Sequence, residues 1–218
     1  MTNPHLDRET SAMDQELTKG YTGILLAAGR GARFDPSGQQ NKLLQLLPDG
    51  TTVIAHAARN LRAALDSAIV VIPAGSPLLC AHLSSEGFAV SKCLDAASGM
   101  AASLKHGLRL TPHATGWVIA LGDMPFIQAN TVTRLVAALR QGADIAVPCY
   151  RGRRGNPVAF SRRHLDLLLQ LSGDRGAREL LQSLPVQEIE VDDAGVCRDI
   201  DTVADLRNCR HSKETVHA

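Results

Sequence analysis

The feature that most restricts the fold is the regular exchange, from Tyr21 onward, of short apolar runs with amphipathic stretches. GILLAAG opens the series, and its unbroken apolar content suits a strand buried on both faces. TTVIAHAARNLRAAL then sets Val53, Ile54, Ala57, Ala58, Leu61, Ala64 and Leu65 on one helical face, with Thr51 or Thr52 as N-cap. AIVVIPAG reads as a strand, PLLCAHLSS as a short helix, GFAVSKC as a strand, MAASLKHGLRL as a helix and WVIALGD as a strand. A helix within NTVTRLVAALRQ, the strand DIAVPC, a basic loop YRGRRGNP, the short strand VAF, helices around HLDLLLQL and AREL, the strand VQEIEV, a hairpin-like DDAG and a last helix near VADLRN complete the pattern. Parallel strands need crossovers and each sheet face needs cover, so the expected fold class is α/β: a Rossmann-like three-layer α/β/α domain with a mainly parallel sheet. Ligands of such sheets bind beyond the C-terminal ends of the strands.

At 218 residues, 44% of them hydrophobic, the chain suits one domain with a substantial core, and it contains no internal repeat and no dividing linker. Residues 1–20 are polar and aperiodic and read as a flexible leader, 21–209 as the single domain and 210–218 as a flexible tail. The formal charge of +1, without long runs of like charge, argues against nucleic-acid and polybasic membrane partners, so any phosphate binding is local. Four Phe, two Tyr and one Trp leave the core to aliphatic residues and offer no stacking platform for single strands. Five cysteines, an odd number without a CxxC pair, read as reduced thiols. Neither a signal-peptide core nor a stretch of ~20 apolar residues is present, and the expected compartment is the cytoplasm.

The sharpest chemical motif is LAAGRGARF, Leu26 to Phe34. A strand runs into Gly29 and Gly31, whose lack of a side chain lets backbone N–H groups approach phosphate, and Arg30 and Arg33 add charge-assisted bonds. The dinucleotide spacing GxGxxG fails, because Phe34 stands where the third glycine belongs, and no GK[ST] comes after it for a P-loop. Lys42, in NKLL, can reach the same phosphates as a mobile point charge. In LGDMPF, Asp123 stands just past a strand and faces the crevice, where a hard Mg²⁺ ion takes oxygen ligands; the bland reading is a helix cap. Asp199 and Asp201 in RDIDTVADL alternate along an extended segment, so either can complete a metal site, and Asp201 or Thr202 can instead cap the terminal helix. Gly99 and Ser103 in GMAASL can admit a flat base, and Asn156 of GNPVAF with Asp174 and Arg178 of GDRGAREL offer further polar partners. The eight histidines show no HxxxH spacing, and no serine lies in a GxSxG elbow, so covalent catalysis is not expected.

LAAGRGARF, NKLL, LGDMPF, GNPVAF, GDRGAR and DIDT, in this order, resemble the molybdenum cofactor nucleotidyltransferases, especially the cytidylyltransferase branch, over about Gly23 to Asn208. The resemblance implies a nucleotide-diphospho-sugar transferase-like fold and a Mg²⁺-dependent transfer of CMP from CTP to a molybdopterin-type phosphate, with pyrophosphate released. It implies that Leu26, Ala27, Ala28, Gly29, Arg30 and Gly31 hold the triphosphate and base, with Gly99 and Ser103 beside the base. Arg33 and Lys42 would neutralise phosphate charge, Asp123 would bind Mg²⁺ with Asp201 or Asp199 beside it, and Asn156, Asp174 and Arg178 would meet the acceptor. The guanylyltransferase branch typically carries LAGG, so Ala28 favours CTP. The stretch DPSGQQ before Asn41 is longer than the glycine link of many members. A GTP-dependent or sugar- or alcohol-phosphate transferase of the same fold is the alternative enzyme. A non-catalytic nucleotide- or cofactor-binding maturation protein, delivering to a molybdoenzyme, is the alternative from another class.

Overall fold

The computed structural model describes residues 20–29, 31, 33–173 and 177–211. Arg30 and Asp174, most of the expected leader and the end of the expected tail lie outside the described residues. In chain order the elements are β1 (Tyr21–Leu26), α1 (Val53–Arg62), β2 (Ser67–Pro73), α2 (Pro77–Ser85), β3 (Ala89–Cys93), α3 (Met100–Leu110), β4 (Gly116–Leu121) and α4 (Ala129–Arg140). They continue with β5 (Ile145–Tyr150), β6 (Arg153–Arg154), β7 (Val158–Ser161), α5 (Leu165–Gln170), α6 (Arg178–Ser183), β8 (Gln187–Glu190) and α7 (Val203–His211).

The strands form one eight-stranded sheet in the order β3-β2-β1-β4-β7-β5-β6, with β8 also paired to β5. β1 pairs in parallel with both β2 and β4, and β2 with β3. β7 runs antiparallel between β4 and β5, and β8 returns parallel to β5. The mainly parallel α/β architecture is therefore as the sequence predicts, with β7 reversed inside the sheet and β6 reversed at its edge. All six residues of β1 are buried. Its alternate side chains separate two cores: Leu25 packs with Val70, Ile72, Val118 and Ala120, while Ile24 and Leu26 pack with Val71, Trp117 and Ile119. That period of two across neighbouring strands is what a sheet covered on both faces requires. No helix among the described residues is long and apolar enough to cross a membrane.

Three local expectations change. The first helix ends at Arg62, and Ala64 and Leu65 reach the same core from the turn beyond it. YRGRRGNP is a tight hairpin, with Arg153 and Arg154 returning against Tyr150 and Cys149. DDAG is no hairpin but the start of a 3₁₀ turn, Ala194–Cys197, because Asp193 accepts the Gly195 N–H at 3.0 Å.

That turn matters to the rest of the molecule. Asp193, buried, also accepts the Gln128 N–H (2.8 Å) and the Thr131 hydroxyl (2.7 Å), so one carboxylate caps α4 and ties the C-terminal segment to it. Gly195 presses directly on the backbone of Phe126: a Cβ there would sit 2.1 Å from the Phe126 carbonyl oxygen, closer than any side chain can. Asp193→Ala removes a buried acceptor from three donors, and the expected loss is about 2–4 kcal/mol of unfolding free energy in a urea titration; an unchanged midpoint would contradict this assignment.

Candidate active site

β1 and β4 are adjacent, but the chain leaves β1 toward β2 and β3 before returning to β4 on the other side. Their C-terminal ends therefore open at a switch in strand order, where crevices form in open α/β sheets. Gly122 N–H donates to the Leu26 carbonyl at 2.9 Å, so the glycine loop and the Asp123 loop leave the sheet side by side.

The glycine loop turns at Gly31, whose φ of 62° lies in the left-handed region that glycine adopts freely. Phe34 and Asp35 N–H groups both donate to the Gly31 carbonyl, and the buried Phe34 ring anchors the turn. DPSGQQ then folds on Asp35, whose carboxylate accepts the Ser37 N–H (2.9 Å), the Ser37 hydroxyl (2.6 Å) and the Gln40 N–H (2.7 Å). The Ser37 hydroxyl and the Gln40 amide hold that carboxyl below its ordinary value. The extra length is thus a compact turn that delivers Asn41, which caps the short 3₁₀ helix Lys42–Leu44 through the Leu43 N–H at 2.9 Å. With Leu43 buried, Lys42 points inward.

Past β4, Asp123 is held by its C-terminal neighbours. Met124 and Ile127 are buried, and the Pro125 carbonyl accepts from His56 Nδ1 (2.7 Å) and Asn60 Nδ2 (3.0 Å) on α1. The Phe126 ring lies against His56 and under the Arg198 guanidinium, 4.6 Å from its centroid. From the C-terminal segment, Ile200 N–H donates to the Asp123 carbonyl at 2.8 Å, and the buried Ile200 side chain leaves Asp199 and Asp201 on the opposite side. Of the two capping candidates, Thr202 takes the role. Thr202 and Asp205 exchange hydrogen bonds as a capping box, with Asp205 Oδ2 accepting the Thr202 N–H (2.7 Å) and Thr202 Oγ1 accepting the Asp205 N–H (3.2 Å). Asp201 keeps its carboxylate for the site.

These loops converge on one ammonium group. Lys42 Nζ donates to Asp123 Oδ2 at 2.6 Å and to Asp201 Oδ1 at 2.9 Å, and Arg33 Nη1 reaches Asp201 Oδ2 at 2.8 Å. Burial pulls the Lys42 ammonium down, but the charges of Asp123 and Asp201 outweigh it and hold the group above its ordinary value. Partial burial, then the negative charge of Asp201, then that of Asp123, push the Asp199 carboxyl up. Among the described residues, three carboxylates thus face two cations. Asp123 Oδ1 is buried and has no hydrogen-bond partner among the described residues.

Beside this cluster opens a cleft of about 430 Å³, lined by Leu26, Ala28, Gly29, Ala96, Ala97, Gly99, Met100, Ser103, Leu121 and Asp123. One wall is the glycine loop and the other is the start of α3. The Ser103 hydroxyl is buried in that wall without a partner.

The model of the MobA-like NTP transferase domain matches residues 23–189. The chain belongs to the MobA-like NTP transferase family. It is 31% identical over 197 residues to the nicotine blue oxidoreductase of Paenarthrobacter nicotinovorans, covering 85% of this chain and 94% of that protein. It is 30% identical over 193 residues to the purine catabolism protein PucB of Bacillus subtilis (strain 168), covering 83% and 91%. A solved structure of Rv0371c from Mycobacterium tuberculosis H37Rv in complex with manganese is 32% identical, with a TM-score of 0.72 over 88% of this chain and 98% of that one.

Within this transferase domain the sequence-picked residues fall into three sets. Leu26, Ala28, Gly29, Gly99, Ser103 and Asp123 share the cleft, and Arg33, Lys42 and Asp201 meet at its mouth. Asn156 is not among the cleft-lining residues; its backbone N–H is bound to the Val196 carbonyl at 2.9 Å, and the bond to Pro157 is cis. Arg178 opens α6, but its side chain, like Asp174, lies outside the described residues. The Gly173 carbonyl just before Asp174 accepts the Ala101 N–H at 3.1 Å, which brings Gly173 to the start of α3. Lys42 differs from the mobile point charge expected of it: it is buried and held by two carboxylates. Sequence reasoning passes over Ala96, Ala97, Met100, His56 and Asn60; the first three are too small or apolar to signal, while the threonine and aspartate of the 202–205 capping box are legible.

Because the Ser103 hydroxyl is buried without a partner, Ser103→Ala should leave the urea midpoint of the ligand-free protein unchanged or raise it. A loss above about 1 kcal/mol would mean that the hydroxyl already has a structural role.

Proposed function

We propose that the chain transfers CMP from CTP to the terminal phosphate of a molybdopterin-type acceptor and releases pyrophosphate. The observation that carries this reading is the contact of Lys42 with both Asp123 and Asp201 at the mouth of a cleft walled by the glycine loop and α3. It collects phosphate-binding cations, oxygen ligands and a base-sized space at one point. Ala28, at a position where the guanylyltransferase branch typically has glycine, favours CTP over GTP.

A divalent cation fits the residues present. The donors are all carboxylate oxygens, Asp123 Oδ1 lacks a partner, and the three acids are incompletely neutralised. Hard cations prefer such oxygens, and the relative solved with manganese supports a divalent ion; Mg²⁺ is the choice here. Asp123 and Asp201, with Asp199 beside them, would hold it, and it would supply Lewis-acid polarisation of the α-phosphate.

The rest is work for the chain itself. Backbone N–H groups at Gly29 and Gly31 receive phosphate oxygens, and Arg33 and Lys42 lie where charge grows on the departing pyrophosphate. An acceptor phosphate oxygen forms the new bond to the α-phosphorus as the bond to the β-phosphate oxygen breaks, and pyrophosphate leaves with that electron pair. The acceptor phosphate is ionised near neutral pH, so no general base is needed. Fixing both anions in line is the main catalytic task.

The relative named as an oxidoreductase motivates a second reading, in which the cleft holds a dinucleotide for redox chemistry. Against it, Phe34 is buried at the third position of the GxGxxG spacing, where close helix approach calls for glycine.

Calorimetry with MgCTP, MgGTP and MgATP should show selective binding of MgCTP. Equal failure of all three sinks the proposal, and a preference for MgGTP moves it to the guanylyltransferase. Asp123→Ala should cut pyrophosphate release by about 10²-fold or more with the fold intact. Retained turnover would remove Asp123 from the site, and wild-type binding without any turnover would favour the non-catalytic maturation protein.

A further inference from the structure

Lys42 does more here than wait for phosphate. Its stem is buried, its backbone is fixed by the Asn41 cap and the buried Leu43, and its ammonium fills the space between Asp123 Oδ2 and Asp201 Oδ1. Among the described residues the other cation, Arg33, pairs with Asp201 and has a side chain 78% exposed to solvent. Compensation of the inner carboxylates therefore falls on Lys42.

We propose that Lys42 is a built-in cation that closes the divalent-metal position until the phosphates of an incoming nucleotide draw it away. The inference rests on the metal-dependent reading of this site. Mg²⁺ sits about 2.0–2.1 Å from its carboxylate oxygens, so an ion bridging Asp123 and Asp201 would fall almost where the ammonium now lies. The two cations cannot share that space, and repulsion at such separation is strong in a partly buried site.

The charge balance points the same way. Among the described residues Lys42 and Arg33 pair with Asp123 and Asp201, so a divalent ion added without displacing either cation would bring a third positive centre to the same two carboxylates. The phosphates of a nucleoside triphosphate offer the Lys42 ammonium replacement anionic partners when a metal takes its place on the carboxylates. Metal and nucleotide then enter together, and Lys42 passes from the aspartates to the phosphates as they do.

The test measures metal binding with no nucleotide and no acceptor present. Free Mn²⁺ is monitored by electron paramagnetic resonance during titration of wild type, Lys42→Met and Lys42→Arg. The methionine variant, of similar length but uncharged, should bind Mn²⁺ about tenfold or more tightly than wild type, since the competing charge is gone. The arginine variant should stay close to wild type. A methionine variant that binds equally or more weakly, or that like wild type binds no Mn²⁺, overturns the proposal.

A second readout needs no folded variant. In ¹⁵N-labelled wild type, the ammonium resonance of Lys42, held between two carboxylates, should keep its position in Mg²⁺ alone and shift when MgCTP is added. A resonance that moves with Mg²⁺ alone, or that stays unchanged with MgCTP bound, overturns the proposal equally. Neither measurement asks for turnover, so a protein that transfers no nucleotide can still pass. An active transferase that fails both loses only this inference.

Discussion

The site depends on one ion cluster: a buried lysine closing on aspartates that lie 81 and 159 residues away in sequence. Unpaired carboxylates at such a position are costly to bring together, and a buried cation offsets that cost only where geometry is tightly held. The surrounding architecture supplies the holding. The capped turn at Lys42, the clamp of His56 and Asn60 on the Pro125 carbonyl, the Ile200-to-Asp123 backbone bond and the Thr202–Asp205 capping box each fix one arm of the cluster.

The sheet accounts for where this cluster forms. β1 is the strand on which the chain changes direction, and past its C-terminal end come the residues with the least side chain, Ala27 to Gly29. Beside it, β4 runs out into Gly122 and Asp123. Asp193 and Gly195 then lock the C-terminal segment onto α4 and the Phe126 backbone, which carries Asp199 and Asp201 to the same crevice. The family match ends at residue 189, so these two acids lie beyond it and join the site through those contacts.

Much of this is legible in the sequence, for reasons that differ by element. β1, β2 and β4 are buried on both faces and read as apolar runs, and α1 shows its period together with the Thr52 cap that the structure confirms. The LAAGRGARF and LGDMPF motifs point to the crevice because strand ends in α/β sheets do so. What the sequence hides is long-range. No local pattern says that Lys42 turns inward to two aspartates, that Asp193 caps a helix more than sixty residues earlier, or that Ala96, Ala97 and Met100 wall the cleft. DDAG reads as a hairpin because turn residues do not reveal whether a side-chain carboxylate will close a 3₁₀ turn instead.

Family membership and substrate are separate questions here, since relatives of similar identity carry names as different as an oxidoreductase and a purine catabolism protein. A shared fold leaves chemistry to the site. The most direct measurement is to incubate the protein with molybdopterin, Mg²⁺ and each nucleoside triphosphate in turn and to identify the pterin product by mass spectrometry. The account predicts a cytosine dinucleotide of molybdopterin, formed together with pyrophosphate only when CTP is present; unmodified molybdopterin with every triphosphate would contradict it.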